Sequence, residues 1–164
     1  MLTLRPTKML AKRLKLAVPA VPPPVDNRVA DWCVHEFRDG RQRHLMFCNT
    51  ASLFPIVLSG RGVTDANALI RRFLEGAWLA FEGTELELHR QRWIEPEAGA
   101  VQWAPIPDKV VLSSVNELIF MARHGMDKSP AELAWWLAQT PMKALGYNSP
   151  DRVFPTLRGP ERCG

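Results

Sequence analysis

The sequence has no apolar run approaching the ~20 residues that a membrane-spanning helix needs. No membrane association is therefore expected. Its first residues carry Lys and Arg without a continuous apolar stretch, which does not fit a secretory signal. Cysteine is scarce: Cys33, Cys48 and Cys163 stand at no framework spacing, which points to a reducing cytoplasm. Catalytic signatures are missing as well. There is no GxSxG or HExxH, no GxxxxGK[ST] or GxGxxG phosphate loop, and no CxxC or HxxxH metal spacing. Ser59-Gly-Arg-Gly-Val63 is most simply a turn. No cofactor is expected, and no repeat or low-complexity tract is found.

What remains is ordinary globular composition. The 164 residues are 46% hydrophobic and 23% charged, enough for a single domain over 1–164 with a sizeable core. The net charge of +4 is uneven: residues 1–45 hold nine Lys/Arg against four acids, so that third is +5 and the rest −1. A basic N-terminal third weakly favours anionic partners.

The chain is organised around a hairpin. Trp32–Arg38 and Arg41–Phe47 are strand-like and flank Asp39-Gly40, a strong type I′ turn pair. With those two residues as the loop, Glu36 faces Arg43, His35 faces His44, Cys33 faces Met46 and Trp32 faces Phe47. One face then carries Cys33, His35, Phe37, Gln42, His44, Met46 and Cys48. The other carries Trp32, Val34, Glu36, Arg38, Arg41, Arg43, Leu45 and Phe47. Both faces are apolar at the base and polar toward the tip, so the base is expected inside and the tip in solvent. Glu36 and Arg43 form a cross-strand charge pair worth roughly 0.2–1 kcal/mol. Leu53–Leu58 reads as a third strand, placed at an edge because Pro55 has no N–H for a ladder.

Elsewhere, Met1–Arg5 is a short strand, and Thr7 caps a helix from Lys8 to about Leu16. Residues 17–25 hold four prolines and form an extended connector, a spacer rather than a ligand for a proline-binding domain. Asp65 precedes a helix from Ala66 to about Glu82, with an apolar stripe from Leu69 to Phe81 and Gly83 after its end. Gly76 within it implies close packing. Glu85–His89 alternates and reads as a fourth long strand, Val101–Trp103 as a short one, and Lys109–Leu112 as another. Ser114-Val-Asn-Glu117 and Ser129-Pro-Ala-Glu132 fit capping boxes for two more helices. Residues 142–164 read as an irregular tail. The fold class is α+β: a mostly antiparallel sheet with a central hairpin, and three to four helices packed on one face.

Candidate chemistry is thin. Cys33, His35, His44 and Cys48 share one hairpin face and are of the types zinc prefers, or a thiol–imidazole pair requires. Buried core thiols and a wet imidazole patch are the plainer reading. Glu85 and Glu87 would share a strand face. Asn116 is the one polar residue of its helix that capping does not explain. The arginines of the hairpin tip, Arg38, Arg41 and Arg43, together with Lys8, Lys12 and Arg13, are the candidate contacts for a nucleic acid. Trp135 and Trp136 cannot both face one core, and Trp136 is taken as a docking residue.

MLTLRPTKMLAKRLKL, the Trp32 hairpin with NTASLFPIVL, the Ser114-Val-Asn-Glu helix and LAQTPMKALGYNSPDRV together resemble a bacterial domain-of-unknown-function family, number 6933. The resemblance implies a small cytoplasmic protein, sometimes fused to other domains or carried by mobile elements. It brings no activity and no functional residue. The leading expectation is a non-catalytic accessory module that binds a protein partner. A nucleic-acid-binding accessory protein is the alternative, and a small enzyme or zinc protein using the Cys/His face comes third.

Overall fold

The computed structural model describes residues 1–161; Cys163 and the end of the expected tail lie outside it. Five strands form one sheet: β1 (Leu2–Pro6), β2 (Asp31–Asp39), β3 (Gln42–Asn49), β4 (Pro55–Ser59) and β5 (Val101–Trp103), in the order β4-β3-β2-β1-β5. The longer pairings, β2 with β3 and β3 with β4, are antiparallel; β1 lies parallel to both β2 and β5. Among the described residues, six helices accompany it rather than three to four: α1 (Lys8–Arg13), α2 (Ala66–Phe81), α3 (Glu87–His89), α4 (Lys109–Ala122), α5 (Pro130–Ala138) and α6 (Pro150–Val153). None is long and apolar enough to cross a membrane.

The hairpin turns at Gly40-Arg41, not Asp39-Gly40. Only Gly40 has positive φ (+62°), which is the type II′ arrangement with glycine at the first central position. Asp39 therefore joins the ladder opposite Gln42, and the register moves by two residues. Cys33 faces Cys48, Trp32 faces Asn49, and His35 faces Met46 instead of His44. A two-residue shift preserves which face each side chain takes, so the face assignment stands although the partners change.

Helices cover both faces, not one, because both faces of the hairpin base are apolar. One face presents Leu4, Trp32, Val34, Leu45, Phe47 and Ile56 to α2. There Phe73, fully buried, packs edge-on against Trp32 and Phe47 at 5.2 and 5.4 Å; burying such a ring contributes about 1.5–3 kcal/mol. The other face presents Phe37, Met46, Cys48 and Val57 to α4. Helix α5 contributes Ala134 and Ala138 to the first core, and Leu133 and Leu137 to the second. It thereby shields β4, the edge strand that begins at Pro55. Gly76 is a contact point: a Cβ there would stand 2.8 Å from Ile56 Cγ2.

Two expected strands are helical. Glu85–His89 follows Gly83 (φ +73°), and Thr84 Oγ1 accepts from the Leu86 N–H at 3.1 Å, which starts a helical turn. Leu86 is buried while Leu88 is 71% exposed, so the alternating leucines do not share a face. Arg90 is then buried among Glu82, Glu87 and Glu95, a cation set between three carboxylates, while the Glu82 carboxyl also meets that of Glu87, which raises its pKa. Lys109–Leu112 is the first turn of α4. Asp108, not Ser114, is its cap, accepting from the Val111 N–H at 2.9 Å. Ser114 sits mid-helix and donates to the Val110 carbonyl at 2.7 Å. Asn116 lies on the exposed side of α4.

Candidate functional site

The exits of β1 and β5 build an open groove. Arg5 on β1 is buried. Its Nε and one Nη donate to the Asp31 carboxylate at 2.8 and 3.1 Å, and its other Nη donates to the Pro105 carbonyl at 2.7 Å. One guanidinium thus fixes β1, β2 and the segment leaving β5 in a charge-assisted bidentate arrangement. Across from that segment, Thr7 Oγ1 accepts from the Leu10 N–H at 3.3 Å and starts α1. Lys15, at φ +55°, ends the turn that follows α1, and the proline connector runs on from there.

Between α1, residues 18–20 of the connector and residues 105–112 lies a cleft of about 800 Å³. Pro6, Met9, Val18, Pro19, Ile106 and Leu112 supply its apolar lining. Met9 is 85% exposed, and Val21 and Val110, next to lining residues in the chain, are 79% and 57% exposed. Exposed apolar surface of this kind is what an interaction site would use. Lys8 and Lys109 also line the cleft; its one acid, Asp108, is engaged in capping α4. The Thr7 hydroxyl is committed to α1, so few polar groups remain to orient a small ligand. The arrangement suits the docking of an apolar surface.

Cys33, His35, His44 and Cys48 share one hairpin face. Among the described residues, no three His, Cys, Asp or Glu side chains are grouped to hold an ion. Cys33 and Cys48 are buried and opposed. Burial pushes the Cys33 thiol up to about 12, only partly offset by its contact with Thr50, and raises Cys48 well above its usual value. Neither is a thiolate near neutral pH. His44 stacks on Phe37 at 5.4 Å, and burial lowers its pKa.

His35 is 4% exposed, and its Nε2 has no hydrogen-bond partner among the described residues. Burial lowers its pKa from 6.5 to about 4. Folding therefore favours the neutral ring. Its contribution is complete above pH 6.5 and is lost as pH falls from 6.5 toward 4, while the unfolded chain gains the proton. Between pH 7 and 5 this amounts to about 2 kcal/mol. Urea unfolding of His35→Leu is expected to show a pH dependence smaller by that amount; an unchanged dependence would refute the assignment.

The basic residues fall into two groups. Lys8 stands at the groove and Lys12 is exposed beside it on α1. Arg13 and Arg43 both reach Glu36, their Nε atoms at 2.8 and 2.9 Å, so the Glu36–Arg43 pair exists diagonally in the new register. Arg38 and Arg41 are exposed. Trp135 turns inward, its indole N–H donating to the Ala80 carbonyl at 2.8 Å. Trp136 is 37% exposed under the Lys128 ammonium, 4.6 Å from the ring centroid, and is not part of the groove. Sequence reasoning singled out Lys8 but missed Met9, Ile106, Lys109 and Leu112. Met9 lies off the Leu10–Leu14 stripe of α1, and Val110-Val111-Leu112 is apolar around a whole helical turn; both features were available as signals.

The fold and groove define an α+β chain on a mixed five-stranded sheet with an open apolar surface at one end. The family model described as "Domain of unknown function (DUF6933)" matches residues 3–153, and the chain belongs to that family. The match takes in every strand and the whole groove except the start of β1, and ends with the last residue of α6. No curated protein and no solved structure matches.

Proposed function

We propose that this chain is a non-catalytic, cytoplasmic interaction module, folded as one domain, that holds a segment of a partner protein in the groove between α1 and residues 105–112. The observation that carries the reading is the pairing of exposed apolar side chains with a lysine on each wall, Lys8 on α1 and Lys109 on the wall whose start is fixed by the buried Arg5–Asp31–Pro105 contact. Charge complementarity selects the occupant: an amphipathic segment with apolar anchors flanked by Asp or Glu, able to meet Lys8 and Lys109. Protonated thiols and a neutral, buried His35 support the non-catalytic half. Opposed but unlinked Cys33 and Cys48 support a reducing compartment. The sharing of one sheet by both cores supports a single domain.

Selection of a displayed random-peptide library on the immobilised protein tests this. Enriched peptides are expected to combine large apolar residues with Asp or Glu. The Lys8→Glu/Lys109→Glu protein should bind them about tenfold more weakly, and Arg41→Glu should bind them as the parent does. No enrichment, or enrichment indifferent to the lysine reversals, would refute the reading.

A further inference from the structure

The hairpin end of the sheet gathers arginines from several elements. Arg38 on β2 stands directly opposite Arg43 on β3. Like charges in that position are destabilising. Glu36 forms an ion pair with Arg43 but is shared with Arg13, so one carboxylate serves two guanidiniums. The loop after β4 is drawn alongside, because the Gly60 N–H donates to the Arg43 carbonyl at 2.8 Å. Arg72 of α2 holds that loop through the carbonyls of Ser59 and Arg61. This leaves the Arg61 side chain exposed. From the end of α4, Arg123 donates to the Arg38 carbonyl at 3.3 Å and lies over the Phe37 ring. Asp39 at the tip is the nearby acid not engaged in an ion pair; Asp65, further along the loop, caps α2. Among the described residues, the guanidiniums of Arg38, Arg41 and Arg61 have no acid partner.

We infer that this end of the sheet is a second binding surface, distinct from the groove, that grips the phosphate backbone of a nucleic-acid duplex. The free guanidiniums sit on a projecting hairpin and a loop, not around a pocket, so they suit a linear polyanion better than a small anion. The exposed residues among them are arginine, Gln42, Gly40 and Ser59, while Phe37 is buried. Between the arginines the surface therefore lacks the apolar centre of a protein interface, and the exposed Phe120, one turn before Arg123 on α4, is a single ring held against His124, not the row of rings that stacks single-stranded bases. Backbone contact without base readout makes the binding sequence-independent and strongly salt-dependent. Helix α1 connects the two surfaces, with Lys8 at the groove and Arg13 at Glu36.

Fluorescence anisotropy with a DNA duplex and an RNA duplex of about 20 base pairs, between 50 and 200 mM NaCl, tests the inference. Binding of at least one duplex is expected at the low-salt end. Arg38, Arg41, Arg61 and Arg123 offer up to four phosphate contacts, giving a slope of log K against log salt of up to about −3.6. Arg38→Gln/Arg41→Gln/Arg61→Gln should lower affinity at least tenfold at low salt and reduce the slope to about −1. It should melt as the parent chain does, since all three side chains are exposed. Met9→Ser/Leu112→Ser should bind as the parent does. Absence of binding to both duplexes, or binding indifferent to the triple substitution, would overturn the inference. Equal binding of poly-glutamate without either duplex would also overturn it, and would assign the surface to an acidic protein.

Discussion

Asp31→Ala is expected to destabilise the protein by about 3–5 kcal/mol, the usual effect of leaving a buried partner charge uncompensated. Asp31 receives two donors from Arg5 and one from the Thr50 hydroxyl, at 3.2 Å. Without it, the Arg5 guanidinium remains among buried groups with the Pro105 carbonyl as its acceptor. The effect should reach the groove, since that carbonyl begins the wall formed by residues 105–112. Urea unfolding measures the loss. The double variant Arg5→Met/Asp31→Leu should recover at least half of it, because removing both charges also removes the desolvation penalty. A loss below about 1 kcal/mol for Asp31→Ala would show that the pair does not hold this corner together.

Phe154→Ala is expected to have an effect of the same size, about 3–5 kcal/mol. Phe154 is fully buried and meets four rings: Trp32 at 5.7 Å, Phe54 at 5.4 Å, Phe81 nearly parallel at 5.3 Å, and His89 at 6.0 Å. Its removal opens a cavity bounded by aromatic groups on strand, loop and helix that cannot collapse together. Tyr147→Ala, in the same C-terminal stretch but at a 70% exposed position, should change stability by no more than about 0.5 kcal/mol. Similar melting temperatures for the two variants would contradict the placement of Phe154.

These two residues mark the limits of what sequence reading reached. Strong local chemistry was legible. Examples are Thr7 and Ser129 as caps, Asp65 and Gly83 around α2, Pro55 at the start of an edge strand, and the tight approach at Gly76. The face of each hairpin residue was also legible, because alternation survives a two-residue shift. Partners across the strands were not, since Asp-Gly and Gly-Arg loops compete and the type II′ turn won. Glu85–His89 and Lys109–Leu112 have strand-like patterns of alternation or β-branching. Thr84 and Asp108 overrode those patterns by satisfying the first amides of helices.

The role of Phe154 had no local signal, because a single aromatic between prolines is recruited by distant rings. The groove was half legible in the sequence, through Lys8 and the proline connector. The opposite wall depends on Arg5 meeting Asp31 and Pro105, a contact between residues up to 100 positions apart.

Hydrogen–deuterium exchange with a library-selected acidic peptide bound is the most direct test of groove docking. Amides of residues 8–20 and 106–112 should gain protection, and those of residues 38–43 and 130–139 should not. Protection centred on the hairpin tip or on α5, with residues 8–20 unchanged, would contradict the account.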